Sequence, residues 1–165
     1  ETQSPDPLTP YSAAKVFGEN LARVYYNLYG LKTISLRYFN VYGDRQPLKG
    51  QYAPVIGLFL KQYHESKPLT VVGDGSQRRD FTHISDVIQA NILASEVENG
   101  FGEVYNIGYG SNYSILDIAN MISNDIKFIP SRIGEVQETL ASNEKFKSLT
   151  GWTPKVSLMD WLQDD

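Results

Sequence analysis

Tyr11 and Lys15 are the residues of this chain whose types and spacing most directly suggest chemistry. They stand four positions apart in Tyr11-Ser12-Ala13-Ala14-Lys15, directly after Thr9-Pro10, at the head of a long amphipathic segment. Thr9 can cap a helix and Pro10 suits its first turn, so the phenol and the ammonium fall one turn apart on one face. An ammonium beside a phenol favours the phenolate, bringing a group that ordinarily titrates near ~10 toward the range of a general base. Such a pair can take the proton of an alcohol as hydride leaves its carbon, the working part of an alcohol/ketone redox site.

The elements that must position this pair read as α/β. Helical periodicity over Pro10 to Tyr29 stops at Gly30, and Thr33 to Tyr38 then alternates as a strand should. Residues Val41 to Gln51, rich in Gly, Pro and charge, predict a loop at that strand's C-terminal end, where open α/β sheets place their ligands. The pattern continues as a helix over 53–65, a strand over 69–72, a turn over 73–77, a helix over 84–98 and a strand over 103–107. Gly108-Tyr109-Gly110-Ser111-Asn112-Tyr113 imitates a dinucleotide fingerprint but carries Tyr113 at the third glycine's place, so it is read as a plain strand-to-helix turn. Ser114-Ile115-Leu116-Asp117 has the form of a capping box, opening a helix that ends near Ser123. Asp125 to Ile129 predicts a strand, and Ser142 and Ser157 are the expected caps of two last helices.

Composition narrows the function classes. The 165 residues suffice for one core, and 41% hydrophobic with 12% aromatic content reads as globular. With 15 basic against 19 acidic residues and no basic run, the chain lacks the footprint of a nucleic-acid binder. It has no cysteine, and its two histidines, His64 and His83, are too isolated for a metal centre. Nothing reads as a signal peptide or a spanning segment, so a cytoplasmic protein with no membrane partner is expected. No repeat or linker divides the chain, and residues 1–165 are read as a single unit.

Motifs downstream of the Tyr/Lys pair come in series: Arg37-Tyr38-Phe39-Asn40-Val41-Tyr42-Gly43, Gln77-Arg78-Arg79-Asp80-Phe81, Val104-Tyr105-Asn106-Ile107-Gly108, Arg132-Ile133-Gly134-Glu135 and Thr150-Gly151-Trp152-Thr153-Pro154. In this order they resemble the C-terminal half of the extended short-chain dehydrogenase/reductases, and within it the NAD-dependent nucleotide-sugar epimerases of the UDP-glucose 4-epimerase type. The fold so implied is the C-terminal part of a Rossmann-type parallel sheet plus a small α/β substrate-binding lobe. The dinucleotide-binding half that precedes the tyrosine in that family, with its Gly-rich turn and catalytic Ser or Thr, has no counterpart in this chain.

The resemblance implies NAD as cofactor, a nucleotide-diphosphate sugar as ligand and a homodimer in the complete protein. Tyr11 would exchange a proton with the sugar 4-hydroxyl, Lys15 would hold the nicotinamide ribose, and Tyr38 would lie beside the nicotinamide. Asn40, Arg79 and Arg132 would meet the diphosphate, guanidinium groups matching phosphate oxygens in paired geometry. Glu135 would accept from the nucleotide ribose, and Thr70 and Val72 would line the base pocket. Thr139 would face the sugar's 2-substituent, its small size admitting an N-acetyl group. A nucleotide-sugar 4,6-dehydratase or decarboxylase shares the redox step, and a non-catalytic nucleotide-sugar-binding module is the rival outside enzymes. Asp80, Asp86, Trp152 and Trp161 are read as structural, Gly73-Asp74-Gly75 as a tight turn, and Arg78 and Arg23 as solvated surface. The aromatic run Tyr25-Tyr26-Asn27-Leu28-Tyr29 suits either a core or a dimer face.

Overall fold

A computed structural model describes residues 1–48, 53–131 and 134–164. Helix α1 spans Pro10–Tyr29. The Thr9 side chain accepts the Ser12 N–H, Ser12 returns the bond to the Thr9 backbone, and Gly30 closes the other end at φ 69°, a left-handed value that suits glycine. Strand β1 (Ile34–Tyr38) follows and pairs in parallel with β6 (Glu103–Ile107), Ile34 opposite Glu103 and Tyr38 opposite Ile107. Between them run β2 (Val41–Tyr42), α2 (Val55–His64), β3 (Leu69–Val72), β4 (Arg78–Asp80), β5 (Thr82–His83) and α3 (Ile84–Glu96). After β6 come β7 (Asn112–Ser114), α4 (Ile115–Ile122), β8 (Ile126–Ile129), α5 (Glu144–Thr150) and α6 (Leu158–Asp164). The described strands form four two-stranded sheets: β1–β6, β2–β5 and β3–β8 are parallel, and β4–β7 is antiparallel. None of the helices among the described residues is long and apolar enough to cross a membrane.

Two apolar clusters underlie this arrangement. Val87, Ala90, Tyr105, Ile107, Phe146 and Trp152 pack around β6, with Leu36 of β1 against them. A second cluster joins Ile56 and Phe59 of α2 to Leu69 and Val71 of β3 and Ile118 of α4. Asp86, in the first turn of α3, helps tie the chain together: its carboxylate accepts the N–H groups of Lys155 and Val156 at 3.0 Å each, while its carbonyl accepts from Trp152 Nε1 at 3.1 Å. Asp86 and Trp152 are thus structural, as expected. Trp161 is also a packing residue, its ring 5.3 Å from that of Tyr42.

Helix α1 rests on the sheet without burying any residue. Its inner face, which carries Val16, Ala22 and Tyr26 beside Ser12 and Glu19, makes polar contacts with β1. Arg37 of β1 makes a two-pronged ion pair with Glu19 at 2.6 and 2.7 Å, and the Thr33 hydroxyl donates to the Ala22 carbonyl. Tyr26 turns inward against Phe101 and Gly102, whereas Tyr25 and Tyr29 are exposed together with Phe17, Leu21, Val24 and Leu28. The aromatic run therefore divides by helical phase, one tyrosine packing and two facing outward.

The structure corrects four local expectations. Ser142 is not a cap: α5 begins at Glu144 after Asn143, and the Ser142 carbonyl instead accepts from Asn106 Nδ2. The loop expected from Val41 contains β2 at its start, and Lys49 to Tyr52 lie outside the described residues. The segment after Gly108 is not a simple strand-to-helix turn, because β7 intervenes before α4. Arg78 is not merely solvated surface; its guanidinium donates to the Asn112 side chain and carbonyl at 2.8 Å each, tying β4 to β7.

Candidate active site

A cleft of about 730 Å³ opens between the start of α1, the end of β1 and the lobe built on β3 and β4. Tyr11, Asn40, Thr70, Val72, Arg79 and Glu135 all line it. These residues come from five separate stretches of chain, and nothing in the sequence spacing alone brings them together.

Tyr11 sits on the first turn of α1, is 61% exposed and lines the cleft. The Lys15 ammonium lies 5.3 Å from the Tyr11 ring centroid, the spacing that one helical turn dictates. At the other side of the cleft stands Arg79, on the middle position of β4. Its side chain is only 14% exposed, with Nη1 donating to the Arg78 carbonyl at 2.8 Å and Nη2 3.5 Å from Glu135. Burial pushes the guanidinium down from its ordinary value, and Glu135 opposes that shift. Thr70 and Val72 face the cleft because strand side chains alternate, Leu69 and Val71 turning into the core. Gln62 of α2 fixes this rim: its amide donates to the Thr70 hydroxyl at 2.8 Å and accepts the Thr70 N–H at 3.0 Å.

Asn40 follows β1, and its Nδ2 donates to the Asp80 carbonyl at 2.8 Å and approaches the Thr139 hydroxyl at 3.3 Å. Asp80 itself is fully buried. Its carboxylate accepts from three main-chain N–H groups, those of Tyr109, Gly110 and Ala141, at 2.8, 2.9 and 3.0 Å. Burial pushes this carboxyl above its ordinary range, with the three donors pulling the other way. The glycine turn at 108–110 is thus filled by protein: its N–H groups hold Asp80, and a Cβ on Gly108 would strike Ala141. It offers no cradle for a dinucleotide.

Three other expected site residues stand apart from the cleft lining. Tyr38 shares its strand face with Ile34 and Leu36 and donates to Asn91 of α3 at 2.9 Å, on the side of β1 away from Arg37 and Glu19. Thr139 is half-buried beside β4 and is engaged through its hydroxyl and both main-chain polar groups. Lys15 lies beside Tyr11 but outside the lining, and Arg132 falls outside the described residues. Gln77 was missed as a cleft residue, having been assigned to a turn. It is buried, lines the cleft and donates from Nε2 to the Val72 carbonyl at 3.1 Å; its place two residues before Arg79 in the downstream motif was the available signal.

Residues 1–108 match the model of the NAD dependent epimerase/dehydratase family, and the chain belongs to that family. Among its relatives is a putative UDP-glucose 4-epimerase of Methanocaldococcus jannaschii, 36% identical over 96% of this chain and 52% of its own length. A solved UDP-glucuronic acid 4-epimerase from Bacillus cereus, in complex with UDP-glucuronic acid and NAD, is 40% identical with a TM-score of 0.90, over 99% of this chain and 53% of that one. The UDP-glucose 4-epimerase of Thermotoga maritima, solved with UDP-glucose, is 34% identical with a TM-score of 0.92, over 98% of this chain and 53% of that one. The fold is therefore the Rossmann-type α/β fold of these epimerases, and the chain spans about half the length of the relatives it matches.

Proposed function

We propose that the cleft binds a nucleotide-diphosphate sugar, a UDP-hexose or UDP-N-acetylhexosamine, and that the chain, acting as one unit, supplies the substrate lobe and proton-transfer residue of an NAD-dependent 4-epimerase. The observation that carries this reading is convergence: a phenol at the cleft mouth faces, across one cavity, a sequestered arginine and a carboxamide suited to a diphosphate.

In this reading Arg79 and Arg132 clamp the diphosphate, Asn40 supports it, Glu135 accepts from the nucleotide ribose, and Thr70 and Val72 line the base. Arg79 suits the task because its charge is already withdrawn from water and pre-aimed by the Arg78 carbonyl, so little ordering remains on binding. Glu135 would exchange its present ion pair for a ribose hydroxyl as the phosphate takes its place on Arg79. Tyr11 would take the sugar 4-hydroxyl proton and later return it, allowing the sugar to pass through a ketone at C4.

NAD fits the described residues at its nicotinamide end alone, where Tyr11 and Lys15 present a phenol and an ammonium; the filled glycine turn leaves its pyrophosphate without a seat. When bound, NAD supplies the hydride acceptor and donor. Lys15 would hold its ribose, with Tyr38 near the nicotinamide. Turnover is thus assigned to a complete protein, homodimeric through the outer face of α1, and the 165-residue chain alone is expected to bind without turning over.

Calorimetric titration of the chain with UDP-glucose tests the binding part, and incubation with UDP-galactose and NAD tests the rest. No saturable binding would refute the cleft assignment. Sustained epimerisation by the chain alone would refute the division of labour.

A further inference from the structure

We propose that Thr139 is a positioning residue for the anion-binding end of the cleft, acting through the backbone of Asp80 on Arg79 and Asn40. This rests on the reading of the cleft as a nucleotide-diphosphate site, and it differs from the expectation that Thr139 contacts the sugar.

Thr139 brackets the peptide units on both sides of Arg79. Its N–H donates to the Arg78 carbonyl at 3.1 Å, the same oxygen that receives Arg79 Nη1 at 2.8 Å. Its hydroxyl oxygen accepts the Asp80 N–H at 3.2 Å. Arg79 is thus held by the carbonyl before it and the N–H after it, and Thr139 engages both groups. The same hydroxyl lies 3.3 Å from Asn40 Nδ2, whose shorter bond, 2.8 Å, goes to the Asp80 carbonyl.

A carboxamide nitrogen has two hydrogens, so these two acceptors fix both the rotamer and the sense of the Asn40 amide. Of the two bonds the longer one is the exchangeable one, because an anionic phosphate oxygen is a stronger acceptor than a neutral hydroxyl. Thr139 therefore holds the Asn40 donor in place until a ligand takes it. The Asp80 N–H is different in kind. Asp80 is fully buried, so no water can replace Thr139 there, and losing that acceptor strands a donor and frees β4 to shift beside Arg79.

Thr139→Val and Thr139→Ser separate the hydroxyl from the shape of the side chain. Each is compared with the unmodified chain in affinity for UDP, affinity for uridine, and exchange of the Asn40 side-chain amide by NMR. In Thr139→Val the Asn40 amide should lose protection and UDP should bind about tenfold more weakly, with uridine unchanged; Thr139→Ser should restore both. UDP carries no hexose, so a residue that merely faces the hexose 2-substituent predicts no change in UDP affinity, and that result with a protected Asn40 amide would overturn the proposal. An equal loss of UDP and uridine in Thr139→Val would also overturn it, as general damage to the lobe. Should the unmodified chain fail to bind UDP while the amide signal still follows the hydroxyl, the positioning of Asn40 stands and the nucleotide reading falls.

Discussion

Replacing Arg79 by alanine should cost the chain its ligand and leave its fold nearly intact. The fold loses little because the side chain of the Glu135 partner is 29% exposed and 3.5 Å away, and partly exposed pairs of that kind contribute about 0–1 kcal/mol. The ligand loses more. Nη1 is held by the Arg78 carbonyl, leaving the rest of a guanidinium that is only 14% exposed to meet phosphate oxygens, and charge-assisted hydrogen bonds to a sequestered group contribute about 1.5–3 kcal/mol each. Allowing for the Glu135 pair that binding must break, the expected loss is about 2–4 kcal/mol, or roughly 30- to 700-fold in Kd for UDP. Arg78→Ala is the matched control, one residue away and of the same charge. Its guanidinium serves Asn112 on β7 rather than the cleft, so it should lower stability by about 1–2 kcal/mol while changing UDP affinity less than about threefold. Calorimetric titration of both variants, at a temperature where denaturation curves show each to be folded, reads the difference. Equal losses of affinity in the two would refute the assignment of Arg79 to the diphosphate.

Asp80→Asn should destabilise the chain by about 2–4 kcal/mol in urea, because a carboxamide cannot accept all three N–H groups that converge on the carboxylate; a loss below about 0.5 kcal/mol would show that the buried charge is not the anchor. Burial pushes the Tyr42 phenol above its ordinary value, so the folded chain holds that proton more tightly than the unfolded one. Its contribution is fully present below about pH 10 and is lost as pH rises through the folded value, so Tyr42→Phe should flatten the alkaline fall in urea midpoint, and parallel curves would refute this. In the complete protein, if it acts as the proposed epimerase, Tyr11→Phe should lower kcat by at least about 100-fold with UDP affinity unchanged, and a matched loss in binding would make Tyr11 a ligand contact rather than the proton carrier.

Much of the framework was legible because local signals and global fold agree. Thr9, Pro10 and Gly30 mark both ends of α1, and the Ser114 capping box marks the start of α4. Alternation identified β1, and β6 was read as a strand as well; the two pair with each other. What escaped were β2, β4, β5 and β7, strands of two or three residues. A stretch that short has no period to detect, and it is a strand only because a distant segment supplies hydrogen bonds: Thr82 is opposite Val41, and Arg79 opposite Tyr113. The site followed the same division. Residue types in series pointed to Tyr11, Asn40, Thr70, Val72, Arg79 and Glu135, which share the cleft. Tyr38 and Thr139 stand outside it, because strand phase turns Tyr38 toward α3 and a tertiary hydrogen-bond network captures Thr139. Counting residues from a motif reveals neither.

Arg78, Arg79 and Asp80 show how much depends on register. Three consecutive charged residues have three separate duties, and the pleat of β4 separates them: the middle side chain enters the cleft while the outer two serve the body of the lobe, Arg78 on Asn112 and Asp80 on the turns at 109–110 and 141. Slipping β4 by one residue against β7 so that Asp80 takes the place of Arg79 would aim a carboxylate into the cleft and bring Phe81, which has no acceptor, to the main-chain N–H groups that Asp80 holds. The register is pinned on both flanks, by the pairing of Arg78 with Ser114 on one side and by its bridge to Glu138 on the other. Thr139, the next residue, carries that second bridge to the Asp80 N–H through its side chain. Strand pairing thus decides which of the three side chains enters the cleft, and under the proposal above Thr139, half-buried and outside the cleft lining, helps hold that choice.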